Sequence, residues 1–279
     1  MINSGMKTFK QHTKAKKKEE GSGVIPTPIH FKQVESVEDM ANGVIPAAIH
    51  FKQVNDKKKN LKEAKKKGPD HFQQWMNDGR GNAHLAGSKT DPGPIHTEIS
   101  KNLHSTNNFT DEHATHIKNY TNDISKGKPG SRALNTALLK GKVPKKHEAH
   151  AKGLDSAIDN NRIQHDVHVY SGTSFNPTHH MDENGRLHSP AYISATHSKP
   201  VAAGYAQSGG SGYGVRHIVH IHLRKGDPAT HVSQLSNFKG EHETLIKRGV
   251  TLQHHGTDKY YDSNNENWYH IHHMTIAKD

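Results

Sequence analysis

A chain of 279 residues with no cysteine, a formal charge of +11 and only 30% hydrophobic residues has no means of building a disulfide framework or a thiolate centre. Its apolar content is too low for a packed core along the whole length, and no apolar run approaches the roughly 20 residues that cross a bilayer. The start, Met1-Ile2-Asn3-Ser4, lacks the apolar stretch of a signal peptide, so the chain reads as a soluble protein with nothing that asks for secretion.

The charge is unevenly placed. Residues 1–67 hold 15 lysines against 7 acidic residues, a balance of +8 out of the total of +11. The runs Lys16–Lys18, Lys57–Lys59 and Lys65–Lys67 have no interleaved aromatic platform, so they offer phosphate contact without base reading. A solvated, disordered arm over residues 1–68 is the expectation. Within it Gly23–Val34 recurs as Gly43–Val54, differing only at Thr27/Ala47 and Pro28/Ala48. Two copies are too few for a solenoid, and short docking peptides for a partner's sheet edge or a functionless duplicated linker both fit them.

After Pro69-Asp70 the spacing of Phe72, Trp75 and Met76 predicts a short amphipathic helix inside a connector over residues 69–104, whose Gly/Pro-rich stretch runs on to His96. Thr110 caps a predicted helix with Ala114, Ile117, Tyr120 and Ile124 on one face. Ser131 opens another through Leu134 and Leu138 that ends at Gly141, and Leu154 and Ile158 mark a third. Strands follow: 166–170, 191–194, 215–223, 241–247 and 268–276. In the third of these Val219, Ile221 and Leu223 alternate with His220 and His222, as in a half-buried antiparallel sheet. Helices first and strands afterwards predict an α+β domain, with no glycine-rich loop of the Rossmann or P-loop kind.

Glu241-His242-Glu243 is the sharpest chemical feature. On an extended strand the two carboxylates project from one face, an arrangement suited to a cationic intermediate and a cationic nucleophile. Two other features are weaker. The triplets His217, His220, His222 and His270, His272, His273 have spacings that two strands can turn toward a metal, but without a His-Glu-x-x-His pattern they read as polar residues on solvent faces. Ser208–Gly214 is rich in glycine and reads as a flexible connector.

In chain order the strands present Val169–Ser174, then Tyr192–Thr196, then Phe238–Glu243. This series resembles the arginine-specific mono-ADP-ribosyltransferases, phage Alt and Mod types among them, with their Arg-Gly strand end, Ser-Thr-Ser strand and Glu-x-Glu strand. The resemblance covers about residues 105–279, including the helical lead-in 109–123 and the segment Lys199–Ala206. It implies an ADP-ribosyltransferase-like split β-sandwich of two small sheets around an NAD cleft, with helices on the N-terminal side. NAD is then the co-substrate and no metal is required.

Carried over by position, Glu243 matches the glutamate that stabilises the ribosyl cation as nicotinamide leaves, and Glu241 the one that directs transfer to arginine. Ser194 matches the first serine of the middle motif and is expected to orient Glu243, with Thr196 in place of the second serine. Tyr170, Ser171, Gly172 and Thr173 fall on the NAD-binding strand end, and Phe238 on the loop that meets the protein substrate. Ser171 stands where the family has arginine, and a hydroxyl makes no bidentate contact with a diphosphate. Arg186 and Lys199 are candidate replacements. The partners implied are arginine-containing host proteins, such as transcription or translation machinery, with RNA as another acceptor and no membrane. The setting implied is a virion or a bacterial host cytoplasm. The alternatives are an NAD-hydrolysing toxin and a basic nucleic-acid-binding or internal virion protein with a vestigial enzyme domain.

Overall fold

The first described helix, α1 (His71–Asn77), is seven residues long and is held mainly by the aromatic side chains of Phe72 and Trp75. Phe72 is buried and stacks on Tyr269, with ring centroids 3.9 Å apart. The computed structural model describes residues 71–278 except 79, 86–91, 106, 123–129, 142 and 209–214. The lysine-rich arm with its repeats and most of the Ser208–Gly214 connector lie outside the described residues.

The interval read as a connector contains more structure than its composition suggests. A 3-10 turn (Arg80–Leu85) and the 14-residue helix α2 (Pro92–Ser105) occupy it. Pro92 and Pro94, read as loop punctuation, sit in the first turn of α2, where a missing N–H costs no hydrogen bond. Ile99 and Leu103, one turn apart, enter the main core. Helix α3 (Asp111–Thr121) is capped by Thr110 as expected: its hydroxyl accepts from the His113 N–H, and the Thr110 N–H donates to His113 Nδ1, a reciprocal capping box. Helices α4 (Ser131–Leu139) and α5 (Lys145–Asn160) follow, and Leu134, Leu138, Leu154 and Ile158 pack with Ile117 and Tyr120 of α3.

The strands are β1 (Val167–Thr173), β2 (Arg186–Ser189), β3 (Ile193–Thr196), β4 (Arg216–Leu223), β5 (Ala229–His231), β6 (Glu243–Ile246), β7 (Val250–Asp262) and β8 (Asn267–Ile276). The helix α6 (Lys199–Ser208) links β3 to β4. They form one eight-stranded ladder, ordered β2-β7-β8-β4-β1-β3-β6-β5. The two small sheets of the expectation are thus joined, yet the join is narrow. Between β1 and β3 only Tyr170 and Thr196 stand in register, so five strands meet three across a single-pair waist. Strand β4 pairs antiparallel with β1 but parallel with β8, which makes the sheet mixed. Its Ile218, Val219, Ile221 and Leu223 are buried on both faces, not on one.

The waist decides where small residues are needed. A Cβ on Gly172 would lie 2.3 Å from the carbonyl oxygen of Ala202 and 2.4 Å from the amide nitrogen of Ala206, so β1 and α6 touch backbone to backbone there. Gly172→Ala is expected to destabilise the fold by about 3 kcal/mol, because neither backbone yields as a flexible side chain does. Chemical denaturation with an unchanged m-value checks this, and a midpoint equal to that of the wild type would contradict it.

Candidate active site

Across the waist the register places Tyr170 opposite Thr196, and Thr196 opposite Glu243, in one row from β1 to β6. Such cross-strand neighbours share a face, so three residues from separate motifs come together through pairing alone. A cleft of about 460 Å³ opens over this row, bounded by α3, β1, β3, α6 and the turn before β6. Tyr170, Ser171, Gly172, Ser194, Thr196, Phe238, Glu241 and Glu243 all line it. Thr173 is not among its lining residues; its buried hydroxyl donates to the carbonyl of Phe175 at 2.8 Å.

Glu243 begins β6 and is only 7% exposed. Burial pushes its carboxyl up to about 7; a hydrogen bond from Ser194 opposes the shift and the charge of Glu241 adds to it. Glu241 is not on the strand. It ends a 3-10 turn (Lys239–Glu241), and His242 takes the left-handed conformation at φ 52 and ψ 44 before β6 starts. The expectation of two glutamates on one strand face is therefore replaced by a sharp turn that still brings both carboxyls to the cleft. Contacts from outside the segment hold that turn. Ser100 of α2 hydrogen-bonds His242 Nδ1 at 2.9 Å, and the His242 ring packs against His96 and His197, with centroids 5.5 and 5.0 Å away.

The hydroxyls of the site are already engaged. Ser171 donates to the carbonyl of Ser194 at 2.9 Å, tying β1 to β3 across the waist. Thr196 accepts from the Ser198 N–H at 3.0 Å, which orders the entry to α6. Tyr170 is buried between Trp75 and the ring of His220, and burial pushes its phenol up. Phe238 is half-buried and leads into the 3-10 turn, its N–H donating to Ser236 Oγ at 3.0 Å.

Two tyrosines not assigned to the site from the sequence bring their hydroxyls to it. The Tyr205 hydroxyl on α6 donates to the carboxylate of Glu241, which opposes the rise that burial imposes on that carboxyl. Tyr120 of α3, a core residue by its helical spacing, is indeed buried, but its hydroxyl stands 3.4 Å from Ser194 Oγ. A tyrosine in a helical pattern signals burial of the ring and leaves the destination of its hydroxyl open.

Neither candidate replacement cation is at the cleft wall. Arg186 lies on the edge strand β2, exposed, with Nε donating to Gln253 at 3.3 Å. Lys199 is buried, and its ammonium donates to the carbonyls of Trp75 and Asp78 at 2.8 and 2.5 Å while standing over the Trp75 ring. Among the described residues the cleft is lined by no lysine or arginine. The histidines also depart from expectation. His217 and His272 are buried and hydrogen-bonded to each other at 2.9 Å, and burial holds them down at about 4 and about 3. Among the described residues no group of three acidic or histidine side chains is placed to hold a metal ion.

Residues 95–276 match a family model described as ADP-ribosyltransferase exoenzyme. Among solved structures the chain is similar to the ADP-ribosylating toxin BECa of a binary enterotoxin of C. perfringens, with a TM-score of 0.52 and 20% identity. That match covers 67% of this chain and 49% of BECa, so the chain spans about half the length of that toxin. It is also similar to Plx2a, an ADP-ribosyltransferase toxin from Paenibacillus larvae, with a TM-score of 0.50, 17% identity and coverage of 66% and 95%. For the C3 exoenzyme of Clostridium limosum the TM-score is 0.50 at 13% identity, with coverage of 68% and 97%. These likenesses concern the fold. Among curated proteins none matches the chain.

Proposed function

This chain belongs to the ADP-ribosyltransferase exoenzyme family, and from that membership we propose that it is an NAD-dependent mono-ADP-ribosyltransferase whose acceptor is an arginine of a target protein. The observation that carries the reading is the pair of half- or fully buried carboxyls in one cleft, each held by a separate hydroxyl: Glu243 by Ser194 and Glu241 by Tyr205.

In the proposed reaction the bond between nicotinamide and C1 of its ribose breaks, and the bonding electrons leave with the ring, which becomes neutral nicotinamide. Positive charge then develops on the ribose. Glu243, ionised, opposes it from a site where water does not screen the attraction. A guanidine nitrogen attacks C1, and the proton it carries goes to Glu241, whose carboxyl burial raises toward the range of a useful base. Phe238 at the mouth of the same cleft suits contact with the acceptor protein. A host-directed setting of the phage Alt or Mod kind, with the duplicated segment in residues 23–54 as a docking element, belongs to the same proposal and rests on the sequence alone.

The test is incubation of the full chain with NAD and agmatine, a small guanidine. ADP-ribosyl-agmatine forming in step with nicotinamide supports the proposal, whereas free ADP-ribose alone, or no nicotinamide at all, overturns it. Tyr205→Phe is expected to lower the agmatine transfer rate about tenfold near neutral pH while leaving nicotinamide release nearly unchanged. It removes a charge-assisted hydrogen bond of roughly 1.5 kcal/mol from Glu241, whereas the hydrogen bond from Ser194 to Glu243 stays in place. Parallel assay of the two products decides it, and an equal fall in both would show that Tyr205 serves the shared step.

A further inference from the structure

Behind Glu243 runs a chain of buried polar groups that the chemistry above does not use. Asn135 of α4 is 4% exposed, and the backbone N–H of Tyr192 donates to its Oδ1 at 3.2 Å. An N–H offers no lone pair, so the atom facing it must be the amide oxygen, and this fixes which end of the amide points the other way. The other end, Nδ2, donates to the Tyr120 hydroxyl at 3.0 Å. Having accepted there, that hydroxyl has its own hydrogen to give, and Ser194 Oγ lies 3.4 Å away. Ser194 is in turn hydrogen-bonded to Glu243.

We infer that Asn135 is a positioning residue that sets the direction of this chain, so that Ser194 presents its hydrogen and not a lone pair to Glu243 and holds the buried carboxylate in its charged form. Each hydroxyl that accepts on one side donates on the other, so the polarity imposed at Asn135 is passed through Tyr120 and Ser194. The groups that face Glu243 are Ser194 from β3, Thr196 beside it in register, Glu241 from the 3-10 turn and Tyr205 from α6. Among the described residues lining the cleft only Glu241 and Glu243 are acidic, and none is basic. The effect on rate rests on the role given to Glu243 under the proposed function; the direction of the hydrogen bonds does not.

Asn135→Asp is the discriminating substitution. Its carboxylate still accepts from Tyr192, but having no N–H it must accept from Tyr120 as well, which reverses the chain and turns Ser194 away from Glu243. Glu243 is titrated directly by NMR in protein labelled at the glutamate carboxyl carbon, with Glu243→Gln identifying the signal. The midpoint is expected to rise by about one pH unit, the scale of one hydrogen bond lost to a carboxylate, and nicotinamide release at about pH 6 to fall about tenfold. In a Tyr120→Phe background the chain is already cut, so the same aspartate should move the midpoint far less. An unchanged midpoint in Asn135→Asp overturns the inference, and so does an equal rise in both backgrounds, which would be the through-space effect of a new charge. If the buried aspartate prevents folding, Asn135→Ala, which removes the donor without adding charge, takes its place in both backgrounds with a smaller expected rise. The midpoint shift with nicotinamide release persisting in Glu243→Gln would leave the chain of bonds standing and sink the role of Glu243. Loss of release in Glu243→Gln with no shift in Asn135→Asp would do the reverse.

Discussion

Glu243→Gln is expected to slow nicotinamide release from NAD about a thousandfold and, at the same time, to make the folded protein more stable at alkaline pH. The two effects have one cause. Burial lifts the Glu243 carboxyl from its ordinary value of 4.5 to about 7, so the folded protein binds the proton more tightly than the unfolded chain does. With a raised carboxyl the sign is fixed: this group weighs nothing against folding below about 4.5, and its ionisation costs progressively more stability as pH rises toward 7. Above that range the cost is constant, on the order of 1–3 kcal/mol. A neutral glutamine avoids it but offers no negative charge to a ribosyl cation. Denaturation at two pH values checks the stability half: the variant should gain at about pH 8 and lose the gain at about pH 4. For the same reason wild-type nicotinamide release should fall as pH drops through about 7. A stability difference from the wild type that is the same at both pH values would show that the carboxylate is not under strain.

The second large effect is expected from Glu241→Ala, which should abolish guanidine modification while NAD is still cleaved. A guanidinium stays protonated up to a pH above ~12, so it needs a carboxylate to hold it and take a proton before it can attack. Water needs neither. Free ADP-ribose should therefore accumulate, measured by chromatography of reaction mixtures containing agmatine, at a rate within a few-fold of wild-type nicotinamide release. The position of Glu241 agrees with this separation of tasks. It stands outside the strand, on a turn, and its hydrogen-bond partner Tyr205 comes from α6, whereas Ser194 of β3 serves Glu243. If Glu241→Ala lost nicotinamide release to the same degree as transfer, the two carboxylates would act as one unit.

The parts of this fold that are legible in the sequence are those set by neighbours along the chain. Thr110 announces α3 because its partner His113 is three residues away, and the apolar spacing of Leu134 and Leu138, or Leu154 and Ile158, is a local signal of helix. The order of the three strand motifs also places Ser194, Thr196 and Glu243, because strand register converts that order into proximity. What stays hidden depends on distant contacts. The strand expected to begin at Glu241 begins at Glu243, since the left-handed His242 is held by Ser100, 142 residues earlier in the chain. Helix α2 escapes a sequence reading because its prolines mark a loop in one context and a first turn in another. Strand β7 escapes it because its polar run from Gln253 to Lys259 shows no alternation, and its pairing with β8 shifts register between His254 and Gly256. Exposed strand faces are the natural place for so many histidines, whereas His217 and His272 bond to each other and can then be buried neutral.

The assignment of Ser171 shows the same limit from the other side. By the resemblance Ser171 stands where the family has arginine; in the structure its hydroxyl donates to the Ser194 carbonyl, and among the described residues neither Lys199 nor Arg186 lines the cleft.

The most direct measurement is a crystal structure of the Glu243→Gln protein with NAD, in which the dinucleotide stays intact long enough to be seen. The nicotinamide ribose is expected over the row formed by Tyr170, Thr196 and the substituted position 243, with its C1 within about 4 Å of the side chain at that position, and the opposite face of that carbon open toward Glu241 and Phe238. NAD lying elsewhere on the protein, or in the cleft with C1 turned away from position 243, would contradict it.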